Sequence, residues 1–456
     1  MNPKTPSSNR LFYGWIIVAL STLALAVSNG LTTLGFPVFH FSIREDFVAS
    51  GAVEAASAQS FIANGASLTF LVAGFASPIA GFLIQKFSLR ALMTAGCVIL
   101  GAGLILHARA GAAETVYLAR ILMGASLGFV GVLANTVLVS RWFRRRRGTA
   151  IGILLTGTSI GGVLIPLVAA PLIAAYGWRT ALLAVSLLVW LVLLPAILFL
   201  VKDKPEDIGL LPDAEANELQ VTNYELRDGS DEFEDTDKNR IAETEIQNPK
   251  SKTQSPDGGY TLRQALKMPL FWVFAICAAL IFYPIFVISQ QFILYLQSAK
   301  IGLSGQAAAF AQATLFAVSV GGKFLFGFLS DRFSPTRVML GCCAVMFAAS
   351  LVLLNLTAGT AFLFLIPFGL GYGGTFVLLN RLVADYFGTR EYGKILGVIM
   401  VVETLGSTVG GKITASLADA AGGDYTQAFY VVILATGMAL AAVVALNLMI
   451  GKKEIF

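Results

Sequence analysis

Apolar residues run in long blocks along this chain, and polar residues collect in short intervals between them. The blocks fall at about 12–36, 57–84, 91–109, 115–140, 149–175, 179–201, 270–297, 305–330, 337–357, 361–386, 393–418 and 425–450. Each is close to the roughly 20 residues a helix needs to cross the hydrocarbon core of a bilayer. The pattern therefore predicts an all-α membrane protein with twelve spans, numbered one to twelve. The first block starts at Leu11 and is too long for a signal-peptide core, with no convincing small-residue cleavage site before polar sequence resumes at Arg44, so it is expected to stay as a span.

One interval breaks the rhythm. Residues 202–267 hold sixteen of the 27 acids and nine of the 32 bases, a net −7 that leaves +12 on the rest. The centre, from Glu215 to Gly259, is rich in Asp, Glu, Asn, Thr and Ser and too poor in apolar side chains to offset the entropy of ordering. It is expected to be a largely disordered cytoplasmic tether between a first half, 1–201, and a second half, 268–456. The acidic run Asp231 to Asp237 reads as a solvated part of that tether.

Composition agrees with the pattern: 56% of residues are hydrophobic and 13% charged, against about 25% charged in soluble domains. Lys and Arg are concentrated in the intervals on one side, from Lys4 and Arg10 through Lys86, Arg90, Arg141 and Arg144–Arg147 to Arg332, Arg337, Arg390, Lys394, Lys452 and Lys453. The other side has Arg44, Arg109, Arg179 and Lys300. The bias predicts that both termini are cytoplasmic, in a plasma (inner) membrane, and it accounts for the four-arginine run without nucleic acid.

Chemistry is sparse. Cys97, Cys277, Cys342 and Cys343 all sit inside apolar blocks, where thiols behave as small hydrophobes. His40 and His107 lie near the ends of separate blocks with no Cys or second His at metal-ligand spacing. No nucleophilic triad and no phosphate-cradling loop is visible, so no enzyme, metal or cofactor is expected, and ATP-driven pumping would need another chain.

The two halves repeat each other. The stretch Gly81–Ser88 (GFLIQKFS) returns 246 residues later as Gly327–Ser334 (GFLSDRFS). Trp142-Phe143 followed by Gly148, Gly152 and Gly161 is echoed by Tyr386-Phe387 followed by Gly393, Gly397 and Gly406, at an offset of 244 to 245. Six helices repeat as six. Parallel repeats of this kind place a binding site near the bilayer midplane between the halves, and rocking of the halves exposes it to each side in turn.

This organisation resembles the major facilitator superfamily. Gly327-x-x-x-Asp331-Arg332 is similar to that superfamily's loop signature, and Arg120-x-x-x-Gly124-x-x-x-Gly128 to its fourth-helix motif. The first-half loop departs from the signature, with Gln85 and Lys86 where Asp and Arg are expected. Narrower features resemble the monocarboxylate transporter and oxalate/formate antiporter branch. They are Phe12-Tyr13-Gly14-Trp15, the stretch from Trp142 to Gly152, Pro205-Glu206-Asp207-x-Gly209-Leu210-x-Pro212-Asp213, and Leu262-x-x-Ala265-Leu266-x-x-Pro269-x-Phe271-Trp272. The resemblance implies that a basic residue four positions before the glycine of the loop signature, here Lys323, meets the substrate carboxylate. It also implies a lysine in span eleven ahead of Gly410-Gly411, where this chain has Glu403.

Lys323 lies eight residues before Asp331, about 12 Å into the membrane on a helix. A lysine there costs about 2.5–3.5 kcal/mol on insertion scales, so it is expected to face a cavity or a partner. The plainer alternative is a lysine that braces helices. Glu403, ten residues after Gly393, lies at a similar depth of about 15 Å. A lysine and a glutamate together carry no net charge to offer a dianion, so one anion, or one proton plus one anion, fits better. Glu403 is expected to be the proton site, because its proton affinity depends on its separation from the ammonium group. Alternatives are a permanent Lys323–Glu403 pair or contact of Glu403 with a cationic or hydroxylated substrate.

Asn29, Tyr283 and Gln290 are the uncharged groups expected to touch substrate, while Arg381 and Asp385 are expected to join Asp331 and Arg332 in a gating latch. Gly124, Gly128, Gly157, Gly161, Gly406 and Gly410 have the spacing of helix-packing surfaces. The expected function is secondary active transport of a small monocarboxylate-like anion, proton-coupled or by exchange. The alternative is efflux of an amphipathic drug-like compound by proton antiport, whose span-five signature Gly161-Gly162-x-x-x-Pro166 matches loosely. The expected partners are the organic anion, a proton and membrane lipid, with a monomer as the functional unit.

Overall fold

The computed structural model describes residues 12–84, 86–143, 146–213, 259–388 and 391–453; among these the apolar blocks are helices and no strand occurs. Helices are the open-chain solution in lipid because every backbone N–H and C=O is satisfied within the segment. Eleven are long and apolar enough to cross a membrane. Spans one to four are Tyr13–Leu34, Ala55–Leu83, Leu89–Ala108 and Ala113–Trp142. Spans seven to twelve are Pro269–Leu296, Gly305–Arg332, Pro335–Asn355, Ala361–Phe387, Tyr392–Ala420 and Thr426–Ile450.

Spans five and six follow each other within one stretch, Thr149–Leu200, of 52 residues, divided between the expected blocks 149–175 and 179–201. A straight helix of that length would reach about 78 Å, more than twice the roughly 30 Å hydrocarbon core. The chain breaks at Gly177, where φ is 77° and ψ is 162°, a conformation that glycine takes without a Cβ clash. Arg179, just past the break, binds Asp46 at 2.5 Å and the Ala110 carbonyl at 3.0 Å. The other end of the stretch returns to the start of span one, where Tyr13 Oη donates to Leu200 O at 2.8 Å. A single glycine, with no polar loop, thus reverses the chain.

These bonds define two ends of the bundle. The far end carries the Asp46, Ala110 and Arg179 contacts and the Lys300–Asp424 pair at 3.2 Å. The linker end carries residues 202–213 and 259–268. There the Asp203 carboxylate accepts from Leu89 N and Arg90 N at 2.7 and 3.0 Å, capping span three, and Trp142 Nε1 donates to Lys202 O. Tyr260 N donates to Phe387 O and Leu262 N to the Glu391 carboxylate. The flanks of the acidic interval are therefore docked, 202–213 on the first half and 259–262 on the second. Its centre, 214–258, with the run Asp231–Asp237, lies outside the described residues, as do Gln85, Arg144 and Arg145.

The sequence repeat is a structural repeat. Span two packs on four as eight packs on ten, three on four as nine on ten, and one on five as seven on eleven. The halves meet where five lies against eight and two against eleven. Backbone approach repeats as well: a Cβ on Gly161 would stand 2.1 Å from Ala26 O, and one on its counterpart Gly406 would stand 2.7 Å from Ala279 Cβ. A Cβ on Gly397 would meet nothing within 4 Å. Gly161→Ala is therefore expected to lower the melting temperature of the purified protein by several degrees, since overpacking costs about 1–3 kcal/mol. Gly397→Ala should leave it unchanged or raise it, because alanine stabilises a helix interior by roughly 0.5–1 kcal/mol over glycine. Equal responses would rule out the close approach as the reason for Gly161.

Candidate substrate and gating site

Lys323 sits on span eight with 6% of its surface exposed and reaches across to span five. Its Nζ donates to Leu155 O at 3.1 Å, Thr158 Oγ1 at 3.0 Å and Ser159 Oγ at 2.8 Å. Ser159 Oγ is in turn 3.0 Å from Ser319 Oγ, one helical turn from Lys323. The Phe376 ring of span ten lies beneath the ammonium at 5.1 Å. Every hydrogen-bond partner is a neutral oxygen, and among the described residues no carboxylate lies within ion-pair distance of Lys323. The permanent pair with Glu403 does not form in this conformation. A buried cation solvated only by dipoles is incompletely compensated.

Glu403 is on span eleven, partly buried. Its neighbour Thr404 packs against Gly74 of span two, where a Cβ on the glycine would stand 3.1 Å from Thr404 Oγ1. Lys323 thus belongs to the five–eight seam, whereas Glu403 shares its helix face, at i+3 and i+7, with Gly406 and Gly410, which pack on Ala279 and Tyr283 of span seven within the second half.

The uncharged candidates divide. Asn29 ends the regular helix of span one, immediately before a π-helical turn at Gly30–Leu34. It is partly exposed, and its amide makes one long bond, to Ser28 Oγ at 3.4 Å. Tyr283 Oη is 3.0 Å from Thr414 Oγ1, and its ring fills the space above Gly410, joining spans seven and eleven. Gln290 Nε2 donates to Thr33 O at 2.9 Å, and Gln290 O accepts from His40 Nδ1 at 2.9 Å. Tyr283 and Gln290 are therefore engaged in helix-to-helix bonds, whereas Asn29 has free hydrogen-bonding capacity.

Three of the four gating candidates meet at the linker end. Arg381 binds Asp331 and Ser330 of span eight, and its Nε lies 3.6 Å from the Asp385 carboxylate. Arg332 does not join them: its guanidinium lies over the Phe328 ring at 4.2 Å. The cluster joins spans eight and ten, both in the second half.

Bonds between the halves run from midspan to the far end. Beyond Lys323 and Ser319, Gln312 Nε2 donates to Leu34 O at 3.2 Å, and Gln290 is tied to Thr33 and His40. At the edge, the Asp419 carboxylate of span eleven accepts from Gln59 N and Ser60 N, both at 2.8 Å, and Tyr425 Oη donates to Gln59 Oε1 at 2.9 Å. These far-end ties were missed from sequence. Asp419 was visible as an acid at a span end, but the bonds it accepts come from backbone groups 360 residues away, which no side-chain pattern announces.

A family model described as Major Facilitator Superfamily matches residues 8–411 and 292–453. The chain is 26% identical over 360 residues to the MFS transporter asaE of Aspergillus flavus, covering 77% of this chain and 69% of that one. It is 24% identical over 433 residues to monocarboxylate transporter 12 of Rattus norvegicus, covering 91% and 82%. A solved structure of a bacterial homolog of the human lysosomal transporter Spinster, inward-facing and unoccupied, is similar in fold. Its TM-score is 0.67 at 15% identity, with 97% of this chain and 98% of that one covered.

Proposed function

Because the chain belongs to the major facilitator superfamily, and so is an integral membrane transporter, we propose that its cargo is a small organic monoanion, a carboxylate. The anion moves by alternating access, together with a proton or in exchange for a second anion. The observation that carries this reading is Lys323, a buried cation at midspan on the seam between the halves, met only by neutral oxygens. A carboxylate supplies the missing charge, with Asn29 as a further contact; Tyr283 and Gln290 take part once their present bonds open. Relatives named as monocarboxylate transporters that align over most of the chain support the same class of cargo.

The linker end, where Lys and Arg concentrate, is the cytoplasmic end in this reading, and both termini lie there. The far-end ties then close the outer mouth, and the Arg381–Asp331–Asp385 cluster steadies the inner one. The halves 1–201 and 268–456 rock as units joined by a tether that includes 214–258. Vesicles holding the purified protein should take up labelled lactate or pyruvate, with unlabelled monocarboxylates competing and neutral sugars not. Competition by a sugar, or by an amphipathic cation, in preference to any carboxylate would sink the anion reading.

A further inference from the structure

A second cation is buried in the first half, away from the five–eight seam. Arg120 of span four is 2% exposed, and its guanidinium lies on the Phe36 ring, 3.9 Å from the centroid. One nitrogen, Nη2, is 3.1 Å from His40 Nε2, while Nε and Nη1 are buried with no hydrogen-bond partner. The His40 ring offers no negative charge. Its Nδ1 faces the Gln290 carbonyl, which can only accept, so Nδ1 carries the proton and Nε2 is the acceptor for Arg120.

The surroundings are rich in donors. His107 lies 5.2 Å from the Phe36 ring and 6.1 Å from Trp178, and both His107 ring nitrogens and Trp178 Nε1 are buried without partners. Among the described residues no carboxylate pairs with Arg120; Asp46 pairs with Arg179 and Glu45 with Arg44. Span two leaves room beside the arginine, because a Cβ on Gly65 would still stand 3.6 Å from Arg120 Nε. A carbon-sized gap thus faces an unpartnered, charged N–H.

A buried guanidinium without a counter-charge is strongly disfavoured, and a cluster of N–H groups around it is completed by an acceptor that brings negative charge. We propose that Arg120 and His107 form a binding site for a small monovalent anion, separate from Lys323. The source is either a free inorganic ion of chloride size or the carboxylate of a transported molecule. Occupancy steadies Arg120, which holds His40, which in turn holds Gln290 of the second half, so the site reports to the far-end closure.

The test is a melting titration of the purified full chain in sodium sulfate, with sodium chloride and sodium formate added separately to Lys323→Ala and to the double variant Lys323→Ala/Arg120→Gln, so that the Lys323 site does not contribute. Lys323→Ala should be stabilised by several degrees by at least one of the two salts, and the double variant by neither. A response to chloride alone assigns the site to an inorganic ion, and a response to formate alone assigns it to a carboxylate. No response in Lys323→Ala, or one that survives in the double variant, overturns the proposal. Should the double variant fail to fold, wild-type crystals soaked in bromide decide it: an anomalous peak within hydrogen-bond reach of Arg120 Nε is expected, and its absence there overturns the site.

Discussion

Lys323→Ala is expected to reduce monocarboxylate uptake roughly tenfold to more than a hundredfold while the protein still reaches the membrane in normal amount. The magnitude follows from the hydrogen bond to a charged partner, worth about 1.5–3 kcal/mol. Lys323→Arg retains part of the activity, since it keeps the charge but must fit a planar fork where Leu155 O, Thr158 and Ser159 now hold a compact ammonium. The competing role, a brace between spans eight and five, makes a different prediction: the alanine variant would transport, with an altered balance between inward and outward accessibility. Cysteine accessibility at each end, measured beside uptake, separates the two, and normal uptake by the alanine variant removes Lys323 from the binding site.

Glu403→Gln is expected to abolish accumulation driven by an imposed pH gradient but to preserve exchange of labelled for unlabelled substrate across vesicles loaded on both sides. Glutamine keeps the shape and hydrogen-bonding capacity of the side chain and removes its titration. Net uptake coupled to a proton needs a group that gains and loses one as the halves rock; exchange returns the loaded carrier and moves no net proton. Glu403 is suited to this because it is a carboxyl at midspan that Lys323 does not neutralise in the present conformation. A change of pairing between conformations would shift its proton affinity in step with access. A glutamine variant that still concentrates substrate with the gradient, or a wild type indifferent to pH, excludes this role.

The spans were legible because the length of an apolar block is set by the bilayer, and the helices end within a few residues of the blocks. The repeat was legible because the same loop chemistry recurs at offsets of 244 to 246 residues. The short interval between spans five and six, 176–178, is where the backbone turns, at Gly177. Lys323 and Glu403 stood out because a charge at midspan is rare in any sequence. That they do not pair was not legible, since hydropathy does not fix helix rotation. Arg120 was seen as part of a glycine motif; its side-chain surroundings come from Phe36, His40, His107 and Trp178, which are brought together only by folding.

The Asp419 contact makes the far end a clock. The first turn of span two has no side-chain cap of its own at Ser57, and the other half supplies one in trans to Gln59 N and Ser60 N. A helix cap is worth about 0.5–2 kcal/mol, enough to bias the resting population without trapping it, and water can replace it when the halves part. The Gln59 and Ser60 amides are therefore protected from hydrogen exchange only while the far end is shut. Their exchange with deuterium counts openings directly, with or without cargo and with no label attached to the protein.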